Sequence, residues 1–167
     1  MTKSSKQTLV SGWGGYPTRK TNMVYPRNIE QIQNAIRKSD LIARGNGRAY
    51  GDSSINEKNT INMRNFNRMI SFDDTSGTLV TESGILLEEV IHTFLPRGWF
   101  PYVTPGSKFT TIGGLIAADV HGKNHHKEGS FRNFVDWFEL INSKGEIKKC
   151  SKSENSELFE WTIGGMG

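Results

Sequence analysis

Apolar and polar positions change period several times along this chain, and each change marks an element. Ile29, Ile32 and Ile36 recur at helical spacing with Ala35 beside them. Asn28 precedes them as an N-cap and Gln31 follows three residues on, the spacing of a capping box. A helix is therefore predicted to end near Ser39-Asp40. Leu41-Ile42-Ala43 is a short apolar run that reads as a strand. Further strands are predicted around Thr60–Met63, Met69–Phe72 and Thr78–Glu82, the last two joined through the Asp73-Asp74-Thr75-Ser76-Gly77 turn as a hairpin. Leu86, Leu87, Val90, Ile91 and Phe94 lie on one face of a second helix that Pro96 and Gly98 stop. His92 on that helix reads as an ordinary surface or boundary residue. Trp99-Phe100-Pro101-Tyr102 reads as a short buried segment. Phe138–Ile141 and Ile147–Cys150 flank the turn Asn142-Ser143-Lys144-Gly145-Glu146 as a second hairpin, and Ser156–Trp161 starts a last helix. Before all of these, residues 1–25 carry Gly12-Trp13-Gly14-Gly15-Tyr16-Pro17 and read as an extended entry arm. Strands and helices in this order give an α+β pattern.

Glycine clusters break the pattern at points where a ligand can approach. The first follows the strand at Ala43 and runs Arg44-Gly45-Asn46-Gly47-Arg48-Ala49-Tyr50-Gly51-Asp52-Ser53. Its spacing is G-x-G-x-x-x-G, not the G-x-G-x-x-G of a dinucleotide fold, and no helical periodicity follows it. It is not a P-loop, because no Gly-Lys-Ser/Thr is present. Two readings stand: a surface loop, or a backbone cradle in which N–H groups and both arginines hold a diphosphate. The second cluster lies in Thr104–His126, the stretch around which the chain is organised. Gly106, Gly113 and Gly114 allow close backbone approach, and Ala117 and Ala118 leave room beside them for something flat. A third cluster, Gly164-Gly165-Met166-Gly167, closes the chain, which reads as a fragment cut in mid-domain.

Composition narrows the classes. A chain of 167 residues suffices for one domain with a core. A mean hydropathy of −0.53 and the lack of a long apolar run exclude a predicted membrane-spanning helix. Nor does the N-terminus carry a secretory signal. The single cysteine, Cys150, excludes an internal disulfide and fits a reducing compartment. It reads as an inert strand-end residue, although neighbouring lysines offer a way to lower its pKa. Net charge of +4 favours an anionic partner weakly. Lysine and arginine are scattered, with no stripe interleaved with aromatics, so no nucleic-acid partner is expected.

Taken together, several runs resemble the FAD-binding domain of the vanillyl-alcohol-oxidase family, a PCMH-type fold in which two α+β subdomains clasp FAD. They are Gly12-Trp13-Gly14, Arg44 to Asp52, Pro105-Gly106, Gly113-Gly114 through His121-Gly122-Lys123-Asn124-His125-His126, Gly129-Ser130-Phe131, Glu157-Leu158-Phe159 and Gly164-Gly165. Within that family the runs are most similar to the decaprenylphosphoryl-ribose oxidase branch. The resemblance implies an N-terminal arm over 1–25, an incomplete FAD-binding domain over 26–167, truncated at its C-terminal end, and a substrate domain outside this chain. It implies that Ala43, Arg44, Gly45, Asn46, Gly47, Arg48, Ala49, Tyr50, Gly51, Asp52 and Ser53 wrap the FAD diphosphate. Gly106, Thr111, Ile112, Gly113 and Gly114 would hold the cofactor from the other side. Ala118, Asp119, Val120 and His121 would run along the flavin.

The implied reaction moves hydride from a sugar carbinol carbon to flavin N5. His121 would orient or deprotonate the hydroxyl, with Lys123 and Tyr50 on the substrate side. Lactone oxidases of the superfamily often carry Gly-His-Ser where this chain has Gly47-Arg48-Ala49, so FAD is expected to be non-covalent. A small-molecule or lipid-linked sugar substrate and a partner reductase are implied. The expected compartment is cytoplasmic, with membrane association only through the substrate.

Other chemistries compete with this one. His121, His125 and His126 are spaced i, i+4, i+5, and on a helix the first two would share a face as metal ligands. Gly122 stands where a zinc protease needs its glutamate, and Gly122 and Asn124 weaken a helix, so no metal is expected. A sugar-lactone oxidase of the same superfamily is the nearer alternative. A non-catalytic nucleotide-binding module is the more distant one.

Overall fold

The computed structural model describes residues 6–166. Gly167, the last residue of the third glycine cluster, lies outside them, as do the first five residues of the expected arm.

Where an extended arm is expected, the chain pairs with itself. Strand β1 (Lys6–Ser11) is antiparallel to β2 (Thr18–Val24), with Val10 opposite Arg19 and Thr8 opposite Thr21. Thr21, Met23 and Val10 turn inward from this hairpin and are buried. The alternation is hard to read in the sequence because a threonine fills a core position. Its hydroxyl is satisfied by Thr60 Oγ1 at 2.9 Å, which removes the cost of burying it.

Helix α1 (Ile29–Lys38) starts at Asn28, whose Oδ1 accepts from Gln31 N–H at 2.9 Å. The reciprocal bond of the expected capping box shifts by one residue, since Gln31 Oε1 accepts from Arg27 N–H. Ile32 is buried, whereas Ile29 is exposed. Strands β3 (Ile42–Arg44) and β4 (Asn59–Asn62) complete a four-stranded sheet of order β1-β2-β4-β3. β4 is central and parallel to both neighbours, so Thr60 and Ile61 are both buried.

Two hairpins follow, each with its own helix. β5 (Met69–Asp73) and β6 (Thr78–Thr81) pair antiparallel across the predicted turn. Helix α2 (Leu87–Phe94) packs beside them, burying Leu87, Val90 and Phe94. Ile85, Val90 and Phe94 form a core that takes in Met69, Phe72, Leu79, Trp99 and Ile112. β7 (Trp137–Ile141) and β8 (Ile147–Ser151) form the second hairpin, with helix α5 (Ser156–Thr162) behind it. Val135, Cys150, Phe159 and Ile163 form that core, with Ile116, Phe131, Phe138 and Leu140 packed against it.

The short helix α3 (Ile112–Ala117) joins the two cores. Ile112 enters one and Ile116, a turn later, enters the other. Leu115 between them is fully buried, and truncating it to alanine is expected to cost about 2–5 kcal/mol.

The segment Trp99–Tyr102 departs from expectation. Trp99 packs edge-on against Phe72 at 5.5 Å, but Phe100 and Tyr102 are 55% and 67% exposed. Their rings line a large cleft instead of the core.

Candidate functional site: a cleft between two glycine loops

The first glycine loop leaves β3 and meets the second directly. A Cβ on Gly45 would lie 2.3 Å from Thr111 Oγ1, so only hydrogen fits there. Asn46 Nδ2 donates to Phe109 O at 2.9 Å across the same junction. From the other flank, the turn after β1 closes on the loop through Trp13 N–H to Ala49 O, 2.8 Å. Trp13 also lies under the Arg48 guanidinium, 4.4 Å from ring centroid to Cζ, and Phe109 approaches the same cation at 5.9 Å. The sequence places Trp13 in the entry arm and in the Gly12-Trp13-Gly14 run, with no role of its own. Its partner lies a loop away, and nothing in the local sequence announces the contact.

The loop's backbone is open to a ligand. Among the described residues, the N–H groups from Asn46 to Asp52 donate to no protein acceptor. Gly47 and Gly51 have positive φ of 65° and 60°, a left-handed backbone that glycine adopts without strain and that curls the loop. Both arginines add charge. Arg44 gives its Nη atoms to Ser54 and to Ser11 O. Burial lowers its pKa and the neighbouring Arg48 charge lowers it further, though a guanidinium remains cationic. Arg48 Nε is shielded from solvent and has no hydrogen-bond partner. Among the described residues no carboxylate pairs with either. An unpaired cationic pair beside a run of free amides is complementary to a dianion such as a diphosphate.

The second loop is built differently from the first. Ile112, Gly113 and Gly114 line the cleft, but their N–H groups are engaged within the fold. Ile112 donates to Ile85 O at 2.9 Å and Gly113 to Ser83 O at 2.8 Å. Gly114 donates to Thr111 Oγ1 at 3.2 Å, the cap of α3. Gly113 allows close packing on Ser83, and these three N–H groups are spent inside the fold. The free backbone donors lie in the first loop.

The two loops border a cleft of about 2060 Å³, larger than the ~300–1,000 Å³ of most small-molecule sites. Of the expected residues, Ala43, Gly45, Asn46, Gly47, Arg48, Ala49, Tyr50 and Ser53 line it, as do Gly106, Thr111, Ala118 and Val120. Arg44, Gly51, Asp52, Asp119, His121 and Lys123 lie outside its lining. Ser54, just past the expected loop, is in the lining. Tyr50 is 75% exposed.

Asp119 has a structural task. It stands at φ 41° and accepts from Arg132 N–H at 3.0 Å and Arg132 Nε at 2.8 Å. Burial pushes its carboxyl up, but the Arg132 side chain and N–H and the Ser130 hydroxyl outweigh that and hold it below the usual range. Arg132 also binds Glu160 and Ile163 O, tying α5 to this turn.

His121 is exposed and pairs by a backbone bridge with Ser130. Its ring stands 5.1 Å from that of His125, and both Nδ1 atoms face Gly122 O, at 3.4 and 3.3 Å. Helix α4 (His125–Glu128) excludes His121, so the two histidines do not share a helical face. No cluster of three or more potential metal ligands occurs among the described residues.

Known proteins place this geometry. Residues 21–151 match the FAD binding domain family. The chain is 35% identical to a decaprenylphosphoryl-beta-D-ribose oxidase of Mycolicibacterium smegmatis, over 93% of this chain and 36% of that protein. It is 29% identical to cytokinin dehydrogenase 3 of Arabidopsis thaliana, over 87% of this chain and 30% of that one. Among solved structures, a variant of the BBE-like 1 protein of Physcomitrella patens superposes with a TM-score of 0.79 at 19% identity. That match covers 87% of this chain and 33% of the other, and it shows the fold alone. The chain thus spans about a third of the length of the relatives it matches. The free amides and unpaired guanidiniums of the first loop fit FAD's diphosphate, and with the family match over residues 21–151 the chain belongs to the FAD-binding-domain family of flavoprotein oxidoreductases.

Proposed function

We propose that this chain is the FAD-holding part of an oxidoreductase that oxidises a sugar CH–OH group, the 2′-hydroxyl of a polyprenyl-phosphoryl ribose. The observation that carries the cofactor role is the run of free N–H groups from Asn46 to Asp52 beside Arg48. The substrate class rests on the 35% identity to a decaprenylphosphoryl-beta-D-ribose oxidase over nearly the whole chain.

Bound FAD supplies an acceptor for hydride from the carbinol carbon. The chain's own residues bind and orient. Arg48 and the loop amides neutralise the diphosphate, and Arg44 braces the loop from behind through Ser11 and Ser54. Tyr50, in the cleft lining, meets the substrate. His121 follows Val120, which lines the cleft, and takes or orients the hydroxyl proton through Nε2, since its Nδ1 faces Gly122 O. Lys123 receives the substrate's anionic group. FAD is held without a covalent bond, because Arg48 stands where a linking histidine would. A partner reductase then takes the keto sugar. No helix among the described residues is long and apolar enough to cross a membrane. A cytoplasmic protein that meets the membrane only through its substrate fits this reading.

The test has two stages. The protein is incubated with FAD, desalted, and its visible spectrum recorded. A retained flavin band is expected, and a colourless protein overturns the cofactor role of the loop. The full-length protein is then mixed anaerobically with polyprenyl-phosphoryl ribose and, separately, with arabinono-lactone. Bleaching of the flavin by the first and not the second is expected. The reverse result assigns a sugar-lactone oxidase. Bleaching by neither, with flavin retained, favours a non-catalytic nucleotide-binding module.

A further inference from the structure

At one side of the cleft, Tyr102 and Phe134 stack face to face, with centroids 4.6 Å apart and planes within 10°. Neither ring is buried: Tyr102 is 67% and Phe134 39% exposed, and Phe100 beside them is 55% exposed. All three line the cleft. Among the described residues, this stacked pair leaves apolar surface open to a ligand.

A cationic turn is fastened to this pair at both ends. Before α4, Asn124 Nδ2 donates to Tyr102 O at 2.9 Å. After it, Asn133 Nδ2, next to Phe134, donates to Glu128 O at 3.1 Å. The fastened turn carries His125, His126 and Lys127, and Lys123 precedes it. Lys127 is 80% exposed and only 3.8 Å from Glu128, the outer limit of an ion pair. Lys123 has no partner among the described residues. An apolar platform with cations held along its edge complements an amphiphile with an anionic head.

We propose that the Tyr102–Phe134 stack and the α4 turn fastened across it form the subsite for the polyprenyl-phosphate part of the substrate. The rings carry isoprene units, and Lys127 joins Lys123 in receiving the phosphate. The identity of the lipid rests on the proposed function above. A single lipid chain is chosen over a bilayer because the rings belong to the lining of the cleft.

The test measures binding of monomeric farnesyl phosphate by calorimetry, in parallel with farnesol, inorganic phosphate and phosphatidylglycerol vesicles. Farnesyl phosphate is expected to bind. The double variant Tyr102→Ala/Phe134→Ala is expected to weaken it about tenfold, the scale set by losing two aromatic contacts. Lys127→Gln is expected to weaken it less, with a smaller salt dependence. Farnesyl phosphate binding unchanged in the double variant overturns the subsite. So does equal binding of inorganic phosphate, which indicates a plain anion site. Vesicle binding without monomer binding overturns it in favour of a membrane surface. Retained flavin in each variant reports that the fold is intact. A protein that keeps flavin and ignores farnesyl phosphate sinks this subsite alone. One that binds farnesyl phosphate but never retains flavin sinks the flavin reading and leaves the subsite standing.

Discussion

Gly45 and Thr111 meet so closely that a methyl group between them would overlap the Thr111 hydroxyl, at 2.3 Å. This contact couples the loop that offers free amides to the loop that caps α3. Gly45→Ala is therefore expected to push Thr111 off its cap and to cost about 1–3 kcal/mol, the usual range for overpacking. Flavin retention is expected to fall with it. Urea unfolding and the flavin-to-protein ratio after desalting measure both. Wild-type values for each would mean that the loops are not coupled through this contact.

The Thr111 hydroxyl can be tested separately. It accepts from Gly114 N–H, and the residue is only 4% exposed. Thr111→Val keeps the shape and removes the acceptor, so a loss of about 1 kcal/mol is expected for the cap. Thr111→Ser is expected to recover most of it. Equal stability of the valine and serine variants would remove the cap from the account.

Local signals in the sequence were read well, and tertiary pairings were not. Asn28 as a cap, the Asp73–Gly77 turn and the Asn142–Glu146 turn depend on residues within four positions of one another, and all stand in the structure. The first glycine loop was legible as an open turn because Gly47 and Gly51 supply its positive φ values locally. The second gives no such local signal, because the partner of Gly113 N–H is Ser83 O on a distant segment. Glycine alone does not say whether a backbone approaches a ligand or another backbone. Phe100 and Tyr102 misled: their apolarity predicted burial, and they face a cleft. The hairpin of β1 and β2 was hidden by Thr21, whose core place depends on a distant hydroxyl at Thr60.

Asp119 and Arg132 set a pH dependence. The Asp119 carboxyl is held below its ordinary value, with burial opposing and Arg132 prevailing. Its contribution to stability is therefore complete above the ordinary carboxylate range and is lost as pH falls through the lower folded value. Asp119→Asn keeps the positive φ, which asparagine tolerates, and removes the charge. At neutral pH it is expected to cost about 1–2 kcal/mol, since the pair is partly exposed and solvent screens it. As pH falls through the folded-state value, the variant and wild type are expected to converge. Chemical denaturation at several pH values measures this. A constant difference down to the lowest pH would show that the charge is not responsible.

Cys150 is expected to be silent. It is fully buried in the core with Val135, Phe159 and Ile163. Burial raises its pKa and the Glu154 charge raises it further, so the neighbouring lysines do not activate it. A thiol reagent at neutral pH is expected to leave the native protein unmodified and to react with one equivalent after denaturation, because only the accessible thiolate reacts. Rapid labelling of the native protein would contradict the packing around α5.

The proposed role of Arg48 bears on how the cofactor is held. A guanidinium keeps its proton at all working pH values and offers no lone pair for a bond to carbon, so it cannot form the link that a histidine could. Acid precipitation is therefore expected to release all flavin into the supernatant, and denatured protein on a gel is expected to show no flavin fluorescence. The cation should still matter, because its Nε has no partner in the protein and its face rests on Trp13. Arg48→Met retains much of the stem's packing and removes the charge. It is expected to weaken FAD about tenfold, the scale of losing one hydrogen bond to a charged group. Riboflavin, which lacks the diphosphate, is expected to bind wild type and variant alike. An equal loss for both ligands would place Arg48 in the packing of the loop and take it out of anion recognition. Flavin retained by precipitated wild-type protein would mean that a residue other than Arg48 makes a covalent link.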